Sequence, residues 1–217
     1  MERGFPWRLV TVDIDGTLTQ THGWRDVAVA FDSLGAFEET QRRFQAHQIG
    51  EDAHLADLLD LATGHTLAEM EDVLERTPRL AGIAEGIAQL HDRGARVALL
   101  THNPTYVADW YQRSFGFDDA EAVAAQPVIA GRIGPPVGVR ADKAGGLRAL
   151  LARHPTPTAL VAHVGDGWTD AELFRLVGGG VALNSPYPEV NRAADLVLVT
   201  QDFRDVVKGL AGLAPRR

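Results

Sequence analysis

At 217 residues, with 45% hydrophobic and 23% charged side chains, the chain has the make-up of an ordinary globular protein and the length for one sizeable core plus a smaller insertion. A formal net charge of −8 opposes binding to nucleic acid or to an anionic membrane, both of which need a basic surface. There is no cysteine, which excludes disulfides, zinc–thiolate sites and thiol nucleophiles.

The stretch Met1–Arg8 lacks a long apolar core and no segment approaches the apolar length of a membrane span, so no membrane partner is expected and the expected location is cytoplasmic. The first predicted element is a buried strand over Leu9–Val12, where a β-branched run stops at Asp13-Ile14-Asp15-Gly16-Thr17. From residue 18 to 77 apolar positions recur three and four apart, as at Val27, Phe31 and Leu34, while Gly50 and Gly64 interrupt the pattern. This predicts a bundle of short helices, a candidate cap over 18–77, inserted between core segments 1–17 and 78–217.

A helix over Ile83–Asp92 stops at Arg93-Gly94 and feeds an apolar strand, Arg96–Leu100. Pro104 suits the first turn of a helix reaching Phe115, with Asp109 and Arg113 spaced as an i,i+4 pair and Gly116 ending it. Residues 126–140, rich in proline and glycine, read as a small hairpin or flap. Asp142 is placed to cap a helix over Lys143–Arg153, although Gly145 and Gly146 weaken it by roughly 1 kcal/mol each. A third buried strand, Ala159–Val164, ends in Gly165-Asp166-Gly167, with a helix expected over Asp170–Val177 and short strands over Gly180–Leu183 and Leu196–Val199. Strands alternating with helices give an α/β class: a Rossmann-like, mostly parallel sheet with helices on both faces, plus the inserted helical cap.

Three of these strands end in polar residues of complementary chemistry: Asp13 and Asp15, then Thr101-His102-Asn103, then Asp166 and Asp170. Lys143 opens a helix between the last two. In a parallel sheet ligands bind beyond the carboxyl ends of the strands, so these groups are expected to converge on one crevice. Clustered carboxylates without a histidine–cysteine set suit a hard cation, and Mg²⁺ is the expected cofactor. Thr101 offers a hydroxyl, the following backbone N–H groups offer donors and Lys143 offers positive charge, which together predict a phosphate-binding site. His47, His54 and His65 are read as solvated or hydrogen-bonded rather than as a metal site, and His163, inside an apolar strand, as a satisfied core residue. Trp24 and Trp168, which flank motif segments, either wall the crevice or serve as packing residues, and Asn184 is either an orienting group or a turn residue.

The segments Asp13-Ile14-Asp15-Gly16-Thr17-Leu18-Thr19, Thr101, Lys143 and Gly165-Asp166-Gly167-Trp168-Thr169-Asp170 resemble the four motifs of haloacid dehalogenase-like phosphatases. The resemblance spans nearly the whole chain. It implies a two-step phosphoryl transfer in which Asp13 attacks phosphorus and forms an aspartyl-phosphate, while Asp15 protonates the leaving oxygen and then activates water. Thr101 and Lys143 complete the implied catalytic set; by their positions beside these motifs, Gly16, Thr17, His22, His102 and Asn103 are the candidate phosphate or substrate contacts, Asn103 being either an orienting group or a turn residue. Asp13, Asp15 through its carbonyl, Asp166 and Asp170 form the implied metal set, Asp170 acting behind the others.

The inserted helices, Asp142-Lys143-Ala144-Gly145 and Val181–Pro186 look most like the phosphoserine phosphatase branch. His22, however, stands nine residues after Asp13, where that branch has a glutamate for the substrate amine, and residues 54–61 hold no arginine for a carboxylate. The expected substrate is therefore a small phosphorylated metabolite of open identity. Transfer to another hydroxyl by a phosphotransferase or phosphomutase, and a catalytically idle binding protein, stay open as alternatives. With no coiled-coil heptad in the chain, so does the oligomeric state.

Overall fold

The computed structural model describes residues 4–216, so residues 1–3 and 217 of the two expected core segments lie outside the described residues. The chain begins with β1 (Leu9–Val12), followed by the helices α1 (Gly23–Ala30), α2 (Leu34–Gln45), α3 (Glu51–Asp60) and α4 (Leu67–Arg76). Next come α5 (Ile83–Asp92), β2 (Arg96–Pro104), α6 (Thr105–Phe115) and β3 (Asp119–Ala124). A hairpin, β4 (Val128–Ile129) and β5 (Arg132–Ile133), precedes α7 (Lys143–Arg153), β6 (Val161–Gly165), α8 (Trp168–Phe174) and β7 (Gly179–Leu183). The chain closes with α9 (Pro188–Ala193), β8 (Leu196–Leu198) and α10 (Phe203–Gly212).

Six strands form one sheet in the order β3-β2-β1-β6-β7-β8, every pairing parallel. Side chains alternate between its two faces, as the period of a strand requires. Leu9, Ala98, Leu100 and Val161 pack on one side with Leu147 and Leu150 of α7 and Leu173 of α8. Val10, Val12, Val97, Leu99, Ala162 and Val164 pack on the other with Ile87 and Leu90 of α5 and Val207 and Leu210 of α10. Both faces being covered explains why β1 and β6 read as unbroken apolar runs.

β1 lies between β2 and β6, so the chain order reverses around it and a crevice opens beyond its carboxyl end. In register, Val12 pairs with Leu99 and with Val164. The residues just past those pairs, Asp13 to Asp15, Thr101 and Asp166, therefore emerge at one level.

The insertion leaves the core through a two-stranded neck: Leu80 N–H donates to the Leu18 carbonyl and Gln20 N–H to the Pro78 carbonyl, each at 2.9 Å. Its helices bury Trp24, Val27, Phe37, Leu58, Leu59, Met70 and Val73 in a common interior. Thr66 and Glu69 form a reciprocal capping box that starts α4. The β4–β5 hairpin docks on the insertion, with Gly64 N–H on the Ile133 carbonyl and Leu67 N–H on the Gly131 carbonyl. The flap expected over 126–140 thus buttresses the helices.

Several local expectations shift. Arg113 pairs with Glu71 of α4 at 2.9 Å instead of Asp109, bridging core and insertion. The helix after β6 begins at Trp168 and ends at Phe174, earlier than expected. Strand β3 and helices α9 and α10 lie where no element was predicted. The glycines of α7 have a packing reason: a Cβ on Gly146 would stand 2.8 Å from Leu100 Cδ1 and 2.9 Å from Val123 Cγ1, and one on Gly145 would strike the Asp142 carboxylate that caps the helix.

Candidate active site

The strand ends, the start of α7 and the inner face of the insertion enclose a cavity of about 660 Å³. Asp13, Asp15, Gly16, Thr101, His102, Lys143, Asp166 and Asp170 line its floor, and His22 lies at its insertion side. Of the residues expected at the site, Thr17 and Asn103 stand behind this wall. Thr17 is fully buried and its hydroxyl donates to Asp166 Oδ1 at 3.0 Å. The Asn103 amide donates to Asp15 Oδ2 at 2.8 Å and to Thr101 Oγ1 at 3.0 Å, while its carbonyl oxygen accepts from Trp24 Nε1 at 3.1 Å. Both orient other groups in the site.

Asp15 is held from two directions. Besides Asn103, the backbone N–H of Gly23, the first residue of α1, donates to Asp15 Oδ1 at 3.0 Å. This bond ties the second aspartate to the insertion. Gly16 follows in the left-handed region, φ +73°, and a Cβ there would lie 2.3 Å from Asp166 Oδ2. Only glycine permits both the turn and the approach of the two loops.

Lys143, buried at the start of α7, places Nζ 2.8 Å from Asp13 Oδ2 and 2.6 Å from Asp170 Oδ1. Burial alone would lower the lysine pKa, but Asp13 and Asp170 raise it above its ordinary value, so it is an ammonium. Burial would raise Asp170, yet Lys143 and the His163 hydrogen bond pull it far below the usual carboxylate range. Asp170 is saturated: Oδ1 also accepts from His163 Nε2 at 2.9 Å, and Oδ2 accepts the backbone N–H groups of Asp166 (3.1 Å) and Gly167 (2.9 Å). With four donors on its two oxygens, it shapes the Asp166 loop and has no lone pair left for a ligand.

Asp13 and Asp166 are different. Burial, with Asp170 and Asp15 adding like charge against the opposing pull of Lys143, raises Asp13 to about 7. Burial, Asp13 and Asp170 push Asp166 up to about 8. One ammonium serves three carboxylates whose oxygens lie within 4.8 Å of one another. The excess negative charge, borne by oxygen donors only, fits a hard divalent cation.

Two residues around the site, His163 buried behind it and Ser185 in its wall, extend what the sequence conveyed. His163 accepts from the Thr11 hydroxyl at Nδ1, 2.8 Å away, and so presents its Nε2–H to Asp170. A polar residue in a buried strand seven positions before Asp170 was the available signal. Ser185 Oγ donates to the Asp166 carbonyl at 2.6 Å and steadies the same loop. Asn184, at φ +54°, exchanges two 2.9 Å hydrogen bonds with the Thr200 backbone, a turn role. His47, His54 and His65 fall outside the carboxylate cluster of Asp13, Asp166 and Asp170; His65 stacks on Phe31 at 3.7 Å and His54 on Phe44 at 4.2 Å.

Comparison with known proteins agrees with this geometry. The family model for haloacid dehalogenase-like hydrolases matches residues 7–178. A phosphoserine phosphatase of Streptomyces coelicolor is 29% identical over 213 residues, 95% of this chain and 50% of that one. Phosphoserine phosphatase SerB2 of Mycobacterium tuberculosis is 23% identical, over 97% of this chain and 52% of its own. The chain thus spans about half the length of the curated relatives it matches. A solved substrate-bound phosphoserine phosphatase complex superposes with a TM-score of 0.79 at 19% identity, covering 94% of this chain and 98% of that one, which shows a shared fold.

Proposed function

The chain belongs to the haloacid dehalogenase-like hydrolase family, and from that premise we propose that it hydrolyses a small phosphomonoester, with Mg²⁺, through a phosphorylated Asp13. The observation that carries this reading is the pairing of Asp13, gripped by Lys143 at 2.8 Å beside Asp166, with Asp15, held by Gly23 N–H and Asn103 on the floor of the same cavity.

In the first step a carboxylate oxygen of Asp13 attacks phosphorus in line, the ester P–O bond breaks and Asp15 gives its proton to the departing alcohol. In the second, Asp15 takes a proton from water, whose oxygen attacks phosphorus; inorganic phosphate leaves and the Asp13 carboxylate is restored. The Thr101 hydroxyl and the Lys143 ammonium stabilise the phosphoryl oxygens, and Gly16 lets the backbone approach them closely. Asp13, Asp166 and the Asp15 carbonyl would hold Mg²⁺, which supplies positive charge to the transferring phosphoryl group. Helices α1–α4 serve as the cap, His22 facing the leaving group from its rim.

The test is Asp13→Asn assayed with Mg²⁺ against a panel of phosphomonoesters. We expect wild-type protein to release phosphate and the variant to release none while melting within a few degrees of it. Substantial turnover by the variant would overturn the assignment. An ester formed with an added alcohol in excess of free phosphate would move the reaction class to transfer.

A further inference from the structure

The floor of the cavity takes the phosphoryl group, so its remaining wall must meet the alcohol. That wall includes His22, Phe44, Glu51 and His54 of the insertion, facing Trp168 and Tyr187 of the core. Among the described residues no arginine lines the cavity, and its one lysine, Lys143, is already engaged by Asp13 and Asp170. The arginines of α2 point elsewhere: Arg42 pairs with Glu39 and Arg43 with Asp57, all at the surface.

Two ionisable groups of the wall, His54 and Glu51, define its chemistry. His54 lies face to face with Phe44 at 4.2 Å, its Nε2 is buried with no partner, and burial followed by the neighbouring His22 lowers its pKa to about 4. It is therefore a neutral hydrogen-bonding group under ordinary conditions. Glu51 feels Glu172 of α8 across the gap between insertion and core and Asp52 beside it; burial and these like charges raise its pKa. The mouth thus sets the Glu51 carboxylate between aromatic faces, Phe44 on one side and the Trp168–Tyr187 pair, 5.3 Å apart, on the other.

From this arrangement, and resting on the hydrolase reading above, we infer that the leaving alcohol carries an ammonium and no carboxylate: the substrate class is the phosphate ester of an amino alcohol. A carboxylate on the alcohol would meet the like charge of Glu51 with no arginine or unengaged lysine in the lining to offset it. An ammonium would find the Glu51 carboxylate, the aromatic faces and the unpartnered His54 nitrogen. His54 is therefore a specificity residue, and Glu51 sets the charge it works with.

A matched set of esters tests this with the Mg²⁺-loaded protein: O-phosphoethanolamine, 2-hydroxyethyl phosphate, O-phosphoserine and phosphoglycolate, which differ by one ammonium or one carboxylate. We expect kcat/KM for phosphoethanolamine to exceed that for phosphoserine by about tenfold or more, with phosphoglycolate the poorest. Glu51→Lys should reverse the order of the first and third esters. A phosphoserine value equal to or above that for phosphoethanolamine, or a ratio that Glu51→Lys does not move, would overturn the inference. If none of the four is hydrolysed while other members of the phosphomonoester panel are, the inference falls and the hydrolase reading stands; if no member of the panel is hydrolysed, the hydrolase reading falls separately. Titration calorimetry with the same esters then decides the charge preference, and equal affinities, tighter phosphoserine binding or no binding would each refute it.

Discussion

His163 donates its Nε2–H to Asp170 Oδ1 across 2.9 Å, with both side chains fully buried. The bond extends a chain that runs from the Thr11 hydroxyl through His163, Asp170 and Lys143 to Asp13. Burial lowers the His163 pKa, so the ring stays neutral and its tautomer is set by the two partners. Its part is to hold Asp170 where one carboxylate can fix both Lys143 and the Asp166 loop.

Replacing His163 by Ala should accordingly do more than open a void. The Thr11 hydroxyl and one Asp170 oxygen lose a partner in the core, a loss of about 1–3 kcal/mol in urea unfolding. Turnover should fall through kcat with little change in KM, because no substrate atom is touched. A change confined to stability would show that the chain of bonds has no part in the reaction.

Gly16→Ala should be among the most damaging small substitutions. The new methyl would need the Asp166 carboxylate to retreat, and φ +73° is unfavourable for an L-residue by about 1 kcal/mol or more. We expect kcat to fall at least tenfold and Mg²⁺ affinity to weaken, measured by metal titration of activity and by calorimetry.

Asn103→Ala removes the donor to Asp15 Oδ2 and leaves the buried Trp24 Nε1 without an acceptor. The expected result is a loss of about 1–3 kcal/mol in stability together with a drop in kcat. Asn103→Asp should be worse for catalysis, since it sets a second carboxylate against Asp15. Wild-type kcat in either variant would contradict the anchoring role.

Metal and pH should act on stability together. Burial and neighbouring carboxylates push Asp13 up to about 7 and Asp166 up to about 8, above the usual carboxylate range. Without metal the folded state therefore binds more protons than the unfolded chain between about pH 4 and pH 8, and their contribution to stability falls as pH rises through that window. A cation that takes the protons' place relieves the same repulsion, so the rise in melting temperature on adding Mg²⁺ should be larger near pH 8 than near pH 5.5. Equal shifts at the two pH values would be inconsistent with the carboxylate pair as the metal site.

Residues whose chemistry is strictly local were legible from the chain itself. β1, α5 and α7 fall where the apolar runs and caps place them, and the cavity floor gathers polar groups from three separate strand ends, with carboxylates following β1 and β6 and a hydroxyl from β2. Strand β3, Asp119–Ala124, was not, because an edge strand of alternating acid and alanine carries no apolar run. α10 offered a strong apolar stripe, Phe203, Val206, Val207 and Leu210, and an Asp202 cap, and went unread beside the sheet pattern. Asn103 and Thr17 were visible as polar residues near the site, but only three-dimensional packing directs them at Asp15 and Asp166 instead of at the cavity. Glu51 and His54 come from an insertion whose periodicity gives helices and not their facing surfaces.

The neck at Leu18–Gln20 and Pro78–Leu80 has an evolutionary consequence. Because the polypeptide departs and returns at adjoining, hydrogen-bonded points, the intervening helices can be lengthened, shuffled or exchanged without rethreading the sheet, at only a logarithmic cost in chain entropy. One contact bears on any such exchange. A replacement for α1 keeps the present grip on Asp15 when it again brings a backbone N–H there, as Gly23 does, opposite the Asn103 amide that the core supplies.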